Sequence, residues 1–126
     1  MKFHHVGIAV EDIETSLTDI KKQYSVSEVS EIVWDNNQKA FLCMVTMEDG
    51  FKMELISGEP AKPWIKRGQH LYHVCYEVND IYAEVEKKCQ STGSILVSEP
   101  KEAILFSNKK VAFIRTALGL IELVEE

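Results

Sequence analysis

The sequence predicts an α+β fold in which two βαβββ modules form a curved mixed sheet. The first of three observations is a repeat. His5-Val6-Gly7-Ile8-Ala9-Val10-Glu11-Asp12-Ile13 recurs as His73-Val74-Cys75-Tyr76-Glu77-Val78-Asn79-Asp80-Ile81, an offset of 73 − 5 = 68 that keeps His, Val, Val, Asp and Ile. The second is that Met53-Glu54-Leu55-Ile56 matches Ile121-Glu122-Leu123-Val124 at 122 − 54 = 68. One offset shared by two motif pairs marks a duplication. The third is length. The chain of 126 residues suits one domain, whereas a lone module of about 60 residues is marginal, so the halves are expected to share a core. The expected organisation is a single domain over 1–126, with pseudo-repeats 1–57 and 70–126 joined by a linker over 58–69.

Each element has a local reason. Lys2 to Val10 alternates as a strand, and Asp12 is placed to cap the helix that follows. Ile13, Leu17, Ile20 and Tyr24 recur at i, i+4, i+7 and i+11, one face of that helix. Val26 to Trp34 alternates with β-branched residues, Asp35-Asn36-Asn37 supplies a turn, and Lys39 to Met47 is the next strand. Glu48-Asp49-Gly50 turns the chain into Phe51 to Ser57. Gly58 to Gln69, with Pro60, Pro63 and Gly68, reads as the linker. In the second copy His70 to Val78 is a strand and Asp80 to Thr92 a helix with Ile81, Val85 and Cys89 inward. Gly93 ends that helix. Strands follow over Ile95 to Glu99, Lys109 to Thr116 and Leu120 to Val124, with a loop from Pro100 to Asn108.

Composition narrows the function classes. There are 14 Lys+Arg against 20 Asp+Glu, a formal net charge of −6. That balance argues against a general nucleic-acid binder, whose affinity comes largely from neutralised phosphates. No apolar run approaches the roughly 18–20 residues that span a bilayer, and no signal-peptide pattern opens the chain, so a cytoplasmic protein is expected. Cys43, Cys75 and Cys89 are an odd set without CxxC spacing, which fits free thiols.

Strand parity then singles out four residues. His5, Gly7 and Ala9 share one face of the first strand, opposite the branched Val6, Ile8 and Val10 that suit packing against a helix. In the second copy His73, Cys75 and Glu77 share the corresponding face. Glu54 and Glu122 each lie between apolar neighbours, where a carboxylate is costly unless paired or metal-bound. One such His or Glu is ordinary strand chemistry. The duplicated quartet is different, because two imidazoles and two carboxylates in equivalent positions can converge on one central divalent ion: Ni, Co, Zn, Mn or Fe. Degenerate repeats that bind a ligand without metal are the alternative. His4 and His70 have the wrong parity for ligands, and Cys75 reads as a small core residue. Glu77 is at most a supporting group. Lys62, Lys66 and Arg67 form the one local basic run, with Lys109-Lys110 later. They read as solvated surface that would also suit an anionic substrate.

The segments HVGIAVEDI, MELI, HVCYEVNDI and IELVEE resemble the vicinal oxygen chelate superfamily, which includes glyoxalase I, methylmalonyl-CoA epimerase, extradiol dioxygenases and bleomycin-type resistance proteins. The resemblance covers nearly the whole chain. It implies paired βαβββ units around a metal, with His5, Glu54, His73 and Glu122 as ligands. The QHLYHVCYEV stretch and the doubled His4-His5 are similar to the epimerase branch, whereas Glu at position 54 is more like glyoxalase I. The implied activity is lyase or isomerase chemistry of the lactoylglutathione lyase or methylmalonyl-CoA epimerase type. A proton leaves carbon next to a carbonyl through a metal-chelated enediolate, with Glu122 as first choice of base and Glu54 second. The implied partners are an anionic thioester or glutathione conjugate, with no nucleic acid or membrane, and a second copy of the chain in a homodimer. The rival reading is a metal-free small-molecule binding or resistance protein of the same fold.

Overall fold

The computed structural model describes the backbone of residues 1–126 and every side chain except that of Thr92. It divides into two compact units, His5–Tyr72 and, from the chain ends, Met1–His4 with His73–Glu126. The class is α+β, as expected.

In the unit His5–Tyr72, strand β1 (Lys2–Ala9) leads into helix α1 (Ile13–Gln23), then β2 (Val26–Val29), β3 (Val33–Asp35), β4 (Ala40–Met47), β5 (Lys52–Gly58) and a short helix α2 (Lys62–Lys66). Asp12 caps α1 by accepting from the Thr15 amide at 2.9 Å and its hydroxyl at 2.6 Å, and the helix ends where Tyr24 turns extended. β1 runs parallel to β5 with Gly7 opposite Glu54. β4 runs antiparallel to β5 and carries β2 and β3 on its other edge. α1 covers one sheet face, burying Ile13 against Val10, Cys43, Val45, Met47 and Leu55, with Leu17 and Ile20 packed alongside. Period-2 geometry therefore turns Glu54 to the opposite face.

The second unit follows the same plan with β6 (Leu71–Val78), α3 (Ile81–Thr92), β7 (Ile95–Ala103), a 3-10 turn over Ile104–Phe106, β8 (Lys109–Thr116) and β9 (Gly119–Glu125). β6 is parallel to β9 with Cys75 opposite Glu122. Since 75 − 7 and 122 − 54 are both 68, the register of this strand pair repeats at the sequence offset. α3 is capped by Asp80 at the Ala83 amide, 3.1 Å, and the Glu125 carboxylate accepts from the Ile81 amide at 3.1 Å. Gly93, at φ +69°, takes the left-handed conformation that ends α3. This helix buries Ile81 in a cluster with Val78, Ala112, Ile114 and Leu123. A second cluster of Cys75, Ala103, Val111 and Val124 with Phe106 fills the other face.

Three local expectations differ from the structure. The stretch Val26 to Trp34 is two strands, because the β2–β4 ladder shifts register between Val26 and Glu28 and the chain leaves it after Val29. The expected loop from Pro100 begins inside β7, which runs on to Ala103. β7 pairs with β8 alone, and Pro100 falls at a register shift between Ser98 and Lys101, where its missing N–H leaves no ladder bond unmade. The linker contains α2, with proline at its first turn. At the linker's start Gly58 is obligatory: at φ +120° an added Cβ would meet the Lys39 carbonyl at 2.7 Å.

Candidate functional site

Four of the described buried polar residues are the predicted quartet. His5 and Glu122 are fully buried, Glu54 is 1% exposed and His73 2%. Each unit brings one histidine and one glutamate together. In the first, His5 Nε2 lies 3.4 Å from Glu54 Oε1. In the second, His73 Nε2 lies 3.1 Å from Glu122 Oε1. Both pairs arise from the same device, in which a histidine two residues ahead of the Gly7 or Cys75 position reaches the glutamate of the adjacent parallel strand. Burying ionisable groups in this way is costly unless they share a proton or a cation.

The donor chemistry and spacing fit a metal. Imidazole nitrogen and carboxylate oxygen bind borderline divalent ions at roughly 2.0–2.2 Å, so two donors at right angles lie about 3 Å apart. Both His–Glu separations are near that figure.

Across the antiparallel neighbour the two glutamates differ. Glu54 faces Met44 on β4, and Glu122 faces Phe113 on β8. Phe113 is 6% exposed and sets its ring edge-to-face on His73, centroids 5.4 Å apart. Sequence reasoning missed Phe113, since at an offset of 68 its counterpart is Val45, which lies under α1. The legible signal was the hairpin: Met44 and the opposing Glu54 are ten positions apart, whereas Phe113 and the opposing Glu122 are nine apart. The second turn is one residue shorter, so opposing residues shift by one, and 113 − 44 is 69.

The other residues weighed for the site make contacts of their own. His70 hydrogen-bonds through Nδ1 to the Ala9 carbonyl at 2.8 Å, and His4 packs edge-to-face on Phe106. Cys75 is buried in the core. Glu77 reaches Lys2 at 4.0 Å. Of the basic residues, Lys62 pairs with Glu59 at 2.8 Å and Arg67 stacks on Trp64 at 5.1 Å. Lys110 donates to the Tyr82 hydroxyl at 3.2 Å, which holds its ammonium above the ordinary lysine range. No described helix is long and apolar enough to cross a membrane.

A family model described as the Glyoxalase/Bleomycin resistance protein/Dioxygenase superfamily matches residues 4–113. Among solved structures the chain is similar to methylmalonyl-CoA epimerase from Mycobacterium tuberculosis, at 25% identity and TM-score 0.82, covering 98% of this chain and 87% of that one. It also has the fold of a hypothetical protein from Bacillus halodurans C-125, at 24% identity and TM-score 0.75, covering 99% and 94%. A Streptomyces coelicolor methylmalonyl-CoA epimerase variant in complex with 2-nitronate-propionyl-CoA shares the fold at 19% identity and TM-score 0.82, covering 100% and 97%. A comparison with curated proteins returns no match.

Proposed function

Because the chain belongs to the Glyoxalase/Bleomycin resistance protein/Dioxygenase superfamily, we propose that it is a metal-dependent isomerase or lyase moving a proton on carbon next to a carbonyl. His5, Glu54, His73 and Glu122 together hold one divalent ion in this reading. The observation that carries it is the burial of one His–Glu pair in each unit, built at the same strand register. A bound divalent ion supplies Lewis-acid stabilisation of negative charge that develops on a substrate oxygen.

The chain's own groups do the rest. Glu122 takes the proton from the substrate carbon, and Glu54 serves the opposite direction of transfer. A positioned carboxylate of this kind contributes about 10²–10⁴-fold. His73 holds the Glu122 carboxylate, and the Phe113 ring packs on His73, which keeps the pair in place. Burial of all four side chains excludes water from the proton while it is in transit. Two of the similar structures are methylmalonyl-CoA epimerases. An acyl-CoA thioester is accordingly the first substrate class to try, and a glutathione hemithioacetal the second.

Incubation of the purified protein with 2-methyl-branched acyl-CoA thioesters and 2-oxo hemithioacetals in D₂O tests the reaction. Deuterium entering the carbon next to the carbonyl supports it. No exchange with either class, in protein reconstituted with each candidate metal, overturns it. Elemental analysis of wild type and His5→Ala separates the enzyme from a metal-free binder of the same fold. Stoichiometric metal that is lost in the variant supports the enzyme; none in either supports the binder.

A further inference from the structure

The unit His5–Tyr72 has a second concavity, on the α1 side of its sheet, where Met53 points away from the face that carries Glu54. It has a volume of about 540 Å³ and is lined by Tyr24, Ser25, Met47, Glu48, Asp49, Phe51 and Met53. That size is within the range of pockets for small organic ligands. We propose that this pocket binds a small organic cation, an ammonium-type head on an apolar body, independently of the His–Glu pairs.

The lining chemistry is specific to that class. Tyr24 and Phe51 are exposed at 54% and 41%, so two aromatic faces stand open where a core would cover them. Aromatic faces attract cations, and thioethers adapt to irregular apolar shapes. The charged lining residues, Glu48 and Asp49, are both acidic. The lysine nearest in sequence, Lys52, alternates to the other face of β5 from Phe51 and Met53, and neither it nor Lys21 and Lys22 in the last turn of α1 is among the described lining residues. An anion would meet two carboxylates here, and a neutral ligand would gain nothing from them.

The rim is also preorganised. The Tyr24 amide donates to the Ile20 carbonyl, the Glu48 amide to the Ser25 carbonyl at 2.9 Å, and the Gly50 amide to the Met47 carbonyl at 3.0 Å. The Asp49 carboxylate accepts from the Phe51 amide at 3.0 Å. These bonds tie the end of α1 to the β4–β5 hairpin, so binding costs little ordering of the walls.

Phenyltrimethylammonium and its uncharged isostere tert-butylbenzene make the test, read by the methyl resonances of the four methionines, Met1, Met44, Met47 and Met53. The cation is expected to shift Met47 and Met53 saturably and to leave Met44, beside Glu54, unmoved. Added salt weakens it, and tert-butylbenzene produces no such shift. Glu48→Gln and Tyr24→Ala, both at exposed positions, each weaken the cation by about three- to tenfold. The proposal is overturned if the isostere matches the cation, if Met44 responds in place of Met47 and Met53, or if both variants bind as wild type. It is also overturned if no saturable shift appears up to about 10 mM, the weak end of specific binding.

Discussion

Both halves of the chain bury a histidine against a glutamate, yet the residues flanking the two glutamates are not equivalent. Glu122 sits between Cys75 and Phe113, two buried side chains, and the Phe113 ring also braces His73. Glu54 sits between Gly7, which has no side chain, and the half-buried Met44. The His–Glu separation is shorter in the braced half, 3.1 Å against 3.4 Å. Duplication supplied the same donors twice, and packing then differentiated them. Under the proposed function, the half whose histidine is braced by Phe113 is the one expected to carry the proton-transfer group, whose position sets its rate.

The largest expected effect comes from breaking that division directly. Glu122→Gln is isosteric but cannot take up a proton, so turnover should fall by about 10²–10⁴-fold while metal content changes less. Glu54→Gln should cost less in turnover. The paired measurement is rate and metal stoichiometry for both variants. Equal losses, or a larger loss at Glu54, would remove the functional distinction between the halves.

Truncating the braces comes next. Phe113→Ala removes a buried ring and should destabilise the fold by about 3–5 kcal/mol, whereas Met44→Ala, from a half-buried position, should cost about 1–2 kcal/mol. Denaturant midpoints give both numbers. Phe113→Leu, which keeps apolar volume but loses the edge-to-face contact with His73, should retain most of the stability and lower metal affinity more than Met44→Leu does. Equal affinities in the two leucine variants would show that packing on His73 has no bearing on the donors.

The glycines that end β5 and begin β9 extend the comparison to the backbone. Gly58 and Gly119 both have positive φ, +120° and +108°. An added Cβ at Gly58 would collide with the Lys39 carbonyl, while at Gly119 it would meet nothing within 4 Å. Gly119→Ala should therefore cost about 1 kcal/mol from the dihedral alone. Gly58→Ala should cost roughly 2–4 kcal/mol, with strain added to a backbone that has to move. Thermal denaturation of the two variants ranks them.

What the sequence made legible follows from which features repeat. The β1–β5 and β6–β9 pairs keep one offset, so alternation along the sequence is enough to bring His5 to Glu54 and His73 to Glu122. Helices α1 and α3 were readable because Asp12 and Asp80 supply caps ahead of periodic apolar residues, whereas the five-residue α2 has no side-chain cap. The unreadable parts are those where a local rule was overridden by pairing. Pro100 reads as a breaker, yet β7 absorbs it because its other edge makes no ladder. Phe113 was hidden by a hairpin one residue shorter than its counterpart, which displaces β8 by one residue against the repeat.

The smallest expected effect compares the two caps. Asp12 accepts two bonds from Thr15, through its amide and its hydroxyl, whereas Asp80 accepts one from the Ala83 amide. The Thr15 bonds favour the ionised Asp12 carboxylate and hold it below the ordinary aspartate range, against a smaller opposing effect of desolvation. A carboxyl whose pKa is lowered on folding contributes stability that is present above its unfolded pKa and lost as pH falls through the folded one. Denaturant midpoints for Asp12→Ala should thus fall below wild type near neutral pH, and the gap should narrow as the medium is acidified below about pH 4. Thr15→Ala removes the hydroxyl bond and keeps the amide bond, so it should bring Asp12 to the one-bond state of Asp80 and close part of the same gap. A gap that is constant with pH would mean that the cap acts through its geometry alone, and the two helix starts would then be equivalent.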